Sequence, residues 1–145
     1  MISLNIKSEE SRKIWNKTCH NVYDNMKEDF KKSRRINTIL GDIRKLYKIT
    51  PARLRTDSSN EIKDLRMFAL YLLVHYSTAT FEQIIEQFED ITIKTLEDIQ
   101  NNSNLDTRYD TKIKEFLDLY KDGYLSNIYQ NLAFREDINK ILKDK

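Results

Sequence analysis

The stretch TFEQIIEQFEDITIKTLEDI, residues 80–99, decides the fold. Thr80, followed three residues later by Gln83, forms a capping box, which is a side-chain pair that starts helices. After a turn over 89–91, Thr92 is placed to cap a second helix. The residues expected to face the core are Phe81, Ile84, Ile85 and Phe88 on the first helix and Leu96 and Ile99 on the second. The stretch therefore predicts two short helices joined by a tight turn.

A longer and more buried helix is predicted immediately before this stretch. Apolar residues repeat at helical spacing through LRMFALYLLVHY, residues 65–76, after a cap offered by residues 58–60. The inward residues are expected to be Ile62, Leu65, Ala69, Leu72, Leu73 and Tyr76. A helix over 37–47 should precede it, followed by one helical turn over 51–55 that begins with Thr50 as cap.

Both ends of the chain also carry helical patterns. An apolar stripe predicts one helix over 9–32, with Ser8 as its cap. The members of that stripe are Trp15, Cys19, Val22, Met26 and Phe30. Cys19 is therefore expected to be a buried core thiol. Beyond a polar loop at 101–104 the pattern predicts three helices, the first of them stopped by Gly123.

Composition predicts an all-α protein. The 145 residues include two glycines and one proline, and β-sheets with long loops need more turn residues than that. We expect a core over 36–100, an N-terminal helical arm over 1–35 and a C-terminal helical extension over 101–145, together forming one compact unit.

The sequence lacks the marks of an enzyme, a metalloprotein or a membrane protein. No stretch approaches 18 consecutive apolar residues, and the first residues do not form a leader pattern. Cys19, His20 and His75 are too scattered for a zinc site, and two glycines cannot build a phosphate-binding loop. We therefore expect a non-catalytic protein without cofactor or metal. Its expected location is the cytoplasm, or the host cytoplasm or virion if the gene is viral.

Charge is divided unevenly along the chain, although the net charge is only +2. Residues 27–66 carry twelve Lys or Arg against six Asp or Glu, a net of +6. Residues 77–99 carry Lys94 against six acids, a net of −5. Such segregation indicates a charged partner, or else solvated helix faces.

A wider pattern runs through residues 47–99. Its matching positions are Tyr47, Ile49 and Leu54, then Arg66 and Ala69, then Thr80, Ile84 and Phe88, and finally Thr95. In type and spacing these positions resemble the C-terminal DNA-binding domain of the bacterial replication initiator DnaA. The resemblance implies a Trp-repressor-like helix-turn-helix core over about 36–100. It also implies duplex DNA as a partner in replication or transcription control, for instance in a phage or mobile element.

The chain departs from that family where the family reads DNA. The acid, histidine and first threonine that begin the family's recognition helix are here replaced by Thr92, Ile93 and Lys94. The two glycines of the family's turn are replaced by Glu89 and Asp90, which bring negative charge towards the expected site. The family's basic loop before the long helix reads TDSSNE here. These departures affect base readout more than the fold.

Two features nominate residues for DNA contact. The residues are Lys31, Lys32, Arg34, Arg35, Arg53, Arg55, Arg66, Lys94 and Thr95. Those from Arg53 onward follow from the resemblance, whereas the run KKSRR, residues 31–35, offers contiguous cations for phosphates. A solvated helix end explains KKSRR equally well. For Arg66 the alternative is an ion pair with Glu61 or Asp64.

A second hypothesis is a protein-interaction or structural protein, such as a subunit of a phage particle. It would keep the helix-turn-helix fold without DNA readout, and its acidic helices would face a basic protein partner. Self-assembly could use the apolar face of the N-terminal helix, formed by Trp15, Val22, Met26 and Phe30.

Overall fold

The computed structural model describes residues 8–57 and 59–143, the last six of these by their backbone alone. Over these residues the protein is all-α, as predicted, with nine helices and no strand. The helices are α1 (Glu9–His20), α2 (Val22–Phe30), α3 (Ile36–Tyr47), α4 (Pro51–Thr56), α5 (Asn60–Tyr76), α6 (Phe81–Gln87), α7 (Ile93–Asn101), α8 (Asn104–Arg108) and α9 (Asp110–Lys143).

The chain groups into two compact units. The larger unit is Glu28–Phe116, and the smaller unit combines the described residues up to Lys27 with the described residues from Leu117 onward. Helices α2 and α9 each begin in one unit and end in the other. The division into segments 1–35, 36–100 and 101–145 stays a prediction.

Helix α5 forms the centre of the larger unit. It packs against α3, α4 and α7, while α6 packs on α7. Ten of its 17 residues are buried, including Phe68, Leu72 and Leu73, which are fully enclosed. A helix buried nearly all round must be covered by several neighbours, and the short helices on each side of it supply that cover.

Threonine caps start three of the short helices at the predicted residues. The hydroxyl oxygen of Thr50 accepts a hydrogen bond from the N–H of Arg53 at 3.2 Å. Thr80 and Gln83 form the full capping box at the start of α6. Thr92 accepts from the N–H of Thr95 at 3.3 Å. These bonds satisfy backbone donors that have no partner within the helix, so local sequence alone sets where these helices begin.

The N-terminal helix differs from the prediction in two respects. The single helix over 9–32 is wrong, because α1 ends at His20 and α2 begins at Val22. The buried thiol is also wrong, because Cys19 is exposed. The inward face of α1 instead carries Ser11 and Thr18, and Thr18 satisfies its hydroxyl by donating to the Ile14 carbonyl at 2.8 Å. One residue further along a helix points about 100° away, which turns Cys19 towards solvent.

The C-terminal region is also more helical than predicted. Helix α8 begins at Asn104, inside the expected loop, and α9 runs without a break from Asp110 to Lys143. Gly123 therefore lies inside one helix rather than at the end of the first of three. Within the smaller unit, contacts flank this glycine on both sides: Tyr23 donates to Asp118 at 2.6 Å, and the rings of Trp15 and Tyr129 meet edge to face at 5.5 Å. Such packing overrides the weak local preference of glycine to end a helix.

Among the described residues, no helix is both long and apolar enough to cross a membrane.

Candidate nucleic-acid interface

Arg66, expected at the DNA surface, lies inside the larger unit. Arg66 is only 8% exposed. Its guanidinium donates hydrogen bonds to two backbone carbonyls. One is the carbonyl of Arg55 at the end of α4, at 3.0 Å, and the other is the carbonyl of Glu89 in the turn after α6. The guanidinium also lies 5.7 Å from the centre of the Phe88 ring. Arg66 thus ties α4, α5 and the α6–α7 turn together.

Neither ion pair considered for Arg66 forms. Glu61 lies 3.7 Å from Arg53, which also pairs with Asp57 at 3.0 Å. Asp64 pairs with Arg108 at 2.5 Å. The N–H of Glu89 completes the junction by donating to the same Arg55 carbonyl at 3.2 Å. Three residues predicted to contact DNA, Arg53, Arg55 and Arg66, therefore lie near one another. Arg53 is exposed and pairs with two acids, whereas Arg66 is buried.

The α6–α7 turn depends on a residue in the left-handed region. Asp90 has a φ of 60°, a conformation that Asp tolerates better than most residues other than glycine. Lys94 is exposed in the first turn of α7, and Thr95 is half-buried with its hydroxyl 3.1 Å from that of Thr92. The start of α7 therefore presents one cation to solvent.

The solvent sides of α6, the turn and α7 are acidic. We call their six exposed acids the acidic surface: Glu82, Glu86, Glu89, Asp90, Glu97 and Asp98. Lys94 is the one basic residue between 77 and 99. A phosphate backbone approaching this surface would meet more repulsion than attraction.

The run KKSRR is a connection fastened to the end of α5, not a helix end. The backbone N–H of Lys32 donates to the carbonyl of His75 at 3.1 Å, and that of Arg34 to Tyr76 at 2.9 Å. The ammonium of Lys32 donates to the Val74 carbonyl at 2.5 Å. These bonds fix residues 31–35 against the carboxyl end of α5.

The other cations of this run differ in exposure. The guanidinium of Arg34 lies 4.2 Å from the centre of the Phe30 ring, and its side chain is half-buried. Lys31 is exposed and pairs with Glu28 at 2.9 Å. Arg35 is exposed at the start of α3, where it takes the cap position without a side-chain capping bond.

Further basic residues follow this run near the end of α3. We call residues 31–48 the basic segment; its cations are Lys31, Lys32, Arg34, Arg35, Arg44, Lys45 and Lys48. All of them except Arg34 are exposed. Asp42, the one acid in the segment, is 4% exposed and so adds little negative charge to the surface. Arg44, Lys45 and Lys48 were not among the residues predicted to contact DNA; they lie together near the end of α3.

A polar groove lies between the basic segment and α6. It has a volume of about 510 Å³ and is bounded by the first turn of α3, by Thr78 and Ala79, and by α6. Arg35 lies on one wall, and Glu86 lies on the other. The basic segment and the acidic surface therefore adjoin each other at this groove.

The structure separates the predicted contacts into two groups. KKSRR is bonded to the carboxyl end of α5 at residues 74–76. Arg66 lies on the same helix nine residues before His75, where it bonds to Arg55 and to the α6–α7 turn. Nine residues of α-helix span roughly 14 Å. The two groups therefore do not form one continuous patch along α5.

His75 adds no cation to this region near neutral pH. Burial lowers the pKa of its imidazole, and the neighbouring Lys31 and Lys32 lower it further, against the opposing effects of Asp106 and a bond to the Ile99 backbone. The described residues contain no group of three or more His, Cys, Asp or Glu arranged to hold a metal ion.

No protein-family model matches this chain, and no curated protein or solved structure is significantly similar to it.

Proposed function

We propose that this protein is a non-catalytic nucleic-acid-binding protein that holds the phosphate backbone through the basic segment. The observation that carries the proposal is the distribution of charge over residues 31–48: six exposed cations, with the single acid buried. Binding of nucleic acid draws most of its affinity from phosphates neutralised by Lys and Arg, which release condensed counterions.

The finer fold that we propose is the Trp-repressor-like helix-turn-helix of the DnaA family. Three features support it: α6 and α7 are short, the turn between them has a left-handed residue at Asp90, and α7 packs against α5 while α6 packs on α7. In this fold the second helix of the motif usually enters the major groove.

We propose, however, that α7 of this protein does not read bases. Its exposed face carries Glu97 and Asp98 beside Lys94, and Arg66 is committed to backbone carbonyls. Contacts to phosphates position a protein on the duplex without carrying sequence information. The expected binding is therefore largely independent of sequence.

The direct test is fluorescence anisotropy of a labelled duplex of about 30 base pairs, titrated with the full chain at low salt and again near 0.2 M. If about four phosphates are neutralised, affinity should fall by roughly two orders of magnitude between 0.05 and 0.2 M salt. An unrelated duplex of equal length should bind within about threefold, since backbone contacts carry no sequence information. Absence of binding at low salt would refute the proposal.

A second candidate function is a protein-interaction or structural role without DNA readout. It is favoured by the acidic surface, because six exposed acids on α6, α7 and their turn would repel a phosphate backbone and attract a basic protein. The expected assembly face of the N-terminal helix contributes little to it. Val22, Met26 and Phe30 are at most 7% exposed, and the ring of Trp15 already contacts Tyr129.

A further inference from the structure

We infer that a second copy of this chain binds to the larger unit, with the basic segment of each copy against the acidic surface of the other. This inference goes beyond nucleic-acid binding and does not require it; because both use the basic segment, a duplex and a second copy compete for that surface. Its test contains no nucleic acid, so either idea can fail alone.

Charge complementarity supports a copy of the same chain as the partner. The basic segment carries seven cations and one buried acid, and the stretch 77–99 carries six exposed acids and one lysine. The two surfaces are of similar and opposite charge. Complementary surfaces of this kind steer encounter, and they fix the orientation of the bound pair.

The position of the two surfaces favours a closed dimer over a chain of copies. They adjoin at the groove between α3 and α6, where Arg35 and Glu86 lie on opposite walls. In a two-fold symmetric pair, residue i of one copy meets residue j of the other, and j meets i. Two adjoining patches of opposite charge therefore make both contacts at once, which leaves neither patch free to recruit a third copy.

Apolar area is present on the acidic surface as well. Ile93, at the start of α7, is 42% exposed beside Lys94. Burial of this isoleucine in the dimer interface would add apolar contact to the attraction between charges. Ile93→Ser should therefore weaken the pair without altering the charge of either surface.

The test is sedimentation equilibrium of the full chain at low ionic strength. The expected result is a mass that rises with concentration towards twice the 17.4 kDa of one chain and falls back when salt is added. A mass of one chain at every concentration at low salt would overturn the inference. So would a dimer that is insensitive to salt.

Charge reversal then assigns the surfaces. Arg44→Glu with Lys45→Glu makes an acidic chain, and Glu86→Lys with Glu97→Lys makes a basic chain. Each variant alone should dimerise more than roughly tenfold more weakly than the natural chain, because like charges now face each other. An equimolar mixture of the two should regain the dimer, since every reversed contact is again between opposite charges.

The matched control changes the same number of charges elsewhere. Lys13→Glu with Lys17→Glu alters α1 in the smaller unit and should leave the dimer unchanged. Circular dichroism of each variant establishes that it is folded. If a reversed variant is unfolded, Ile93→Ser and the salt titration of the natural chain decide the question. A mixture that fails to regain the dimer while both variants are folded would overturn the assignment.

Discussion

At the scale of single residues, Arg66 shows how one buried charge can hold a junction. Its guanidinium donates to the carbonyls of Arg55 and Glu89, and a smaller side chain removes both bonds, leaving the Arg55 carbonyl with the N–H of Glu89. We expect Arg66→Ala to lower the free energy of unfolding by about 2 kcal/mol or more, because two hydrogen bonds from a charged, buried donor are lost. Urea denaturation followed by circular dichroism measures this change.

A surface arginine provides the comparison for Arg66. Arg53→Ala removes two ion pairs that lie on the surface, so it should cost less than about 1 kcal/mol. If Arg66→Ala instead left stability unchanged and weakened duplex binding, Arg66 would belong to the DNA surface after all.

Asp90 is one of three described residues, with Lys32 and Lys48, whose left-handed backbone allows strain to be measured. Its φ of 60° suits glycine better than any residue with a Cβ. We therefore expect the Asp90→Gly variant to be about 1 kcal/mol more stable than the Asp90→Ala variant in thermal or urea unfolding. At Glu89, whose φ is not positive, the same pair of substitutions should not favour glycine. Equal stability of the two Asp90 variants would show that the turn is not left-handed there.

At the scale of helices, the sign of the stability change on Gly123→Ala tests whether α9 is continuous. Gly123 lies within this helix without a positive φ, and a Cβ added there meets no atom within 4 Å. Gly123→Ala should raise the free energy of unfolding by roughly 0.5–1 kcal/mol, because alanine favours the helix interior. Gly41→Ala in α3 is the matched control, since it also lies inside a helix with open space around it.

The opposite sign at Gly123 would indicate a different structure. A glycine that ends a helix adopts a left-handed conformation, in which alanine is strained. Destabilisation by Gly123→Ala alongside stabilisation by Gly41→Ala would therefore mean that the helix ends at Gly123, as the sequence predicts.

The helices also show which features a sequence reveals by itself. The caps at Thr50, Thr80 and Thr92 were predictable, because each bond joins residues three apart. Gly123 was not, because the contacts that carry α9 past it come from residues roughly a hundred positions away, such as Tyr23. Local pattern fixes where these three capped helices begin, whereas tertiary packing decides how far a long helix continues.

Some features of the candidate site can likewise be read from the sequence, whereas others depend on tertiary packing. The charge of residues 31–48 can be read from the sequence, and so can the acids of 77–99. The burial of Asp42 and Arg66 could not be read, because it depends on which residues the helices bring together. The exposure of Cys19 could not be read either, since its spacing from other apolar residues predicted burial and the side chain is exposed.

At the scale of the whole molecule, buried tyrosines should make stability fall at high pH. Burial raises the pKa of Tyr76 and Tyr109 to about 12, and the carboxylates of Asp106 and Asp64 add to the shift. Burial likewise raises the pKa of Tyr47, beside Glu115, and of Tyr71, whose hydroxyl donates to Asp106.

The sign of the effect follows from proton binding. In the unfolded chain these phenols ionise near pH 10, whereas in the folded chain they keep their protons to higher pH. The stability that they contribute is therefore complete below about pH 10 and is lost as pH rises through the folded pKa values. Urea unfolding between about pH 9 and 12 should show this decline, and Tyr109→Phe should make it shallower. A flat profile would contradict the burial of Tyr71, Tyr76 and Tyr109.

The central claim concerns the charge of the molecule: we propose that the basic segment, rather than α7, binds the phosphate backbone. The measurement that tests it most directly compares two variants in the same duplex titration over a range of salt. One removes three cations of the basic segment (Arg44→Gln, Lys45→Gln and Lys48→Gln), and the other removes the cation of α7 (Lys94→Gln).

We predict that the triple variant binds more weakly and loses up to about one unit of salt slope for each cation removed, while Lys94→Gln keeps the natural slope. An unchanged salt slope for the triple variant, together with a reduced slope for Lys94→Gln, would contradict the claim and assign the binding surface to α7.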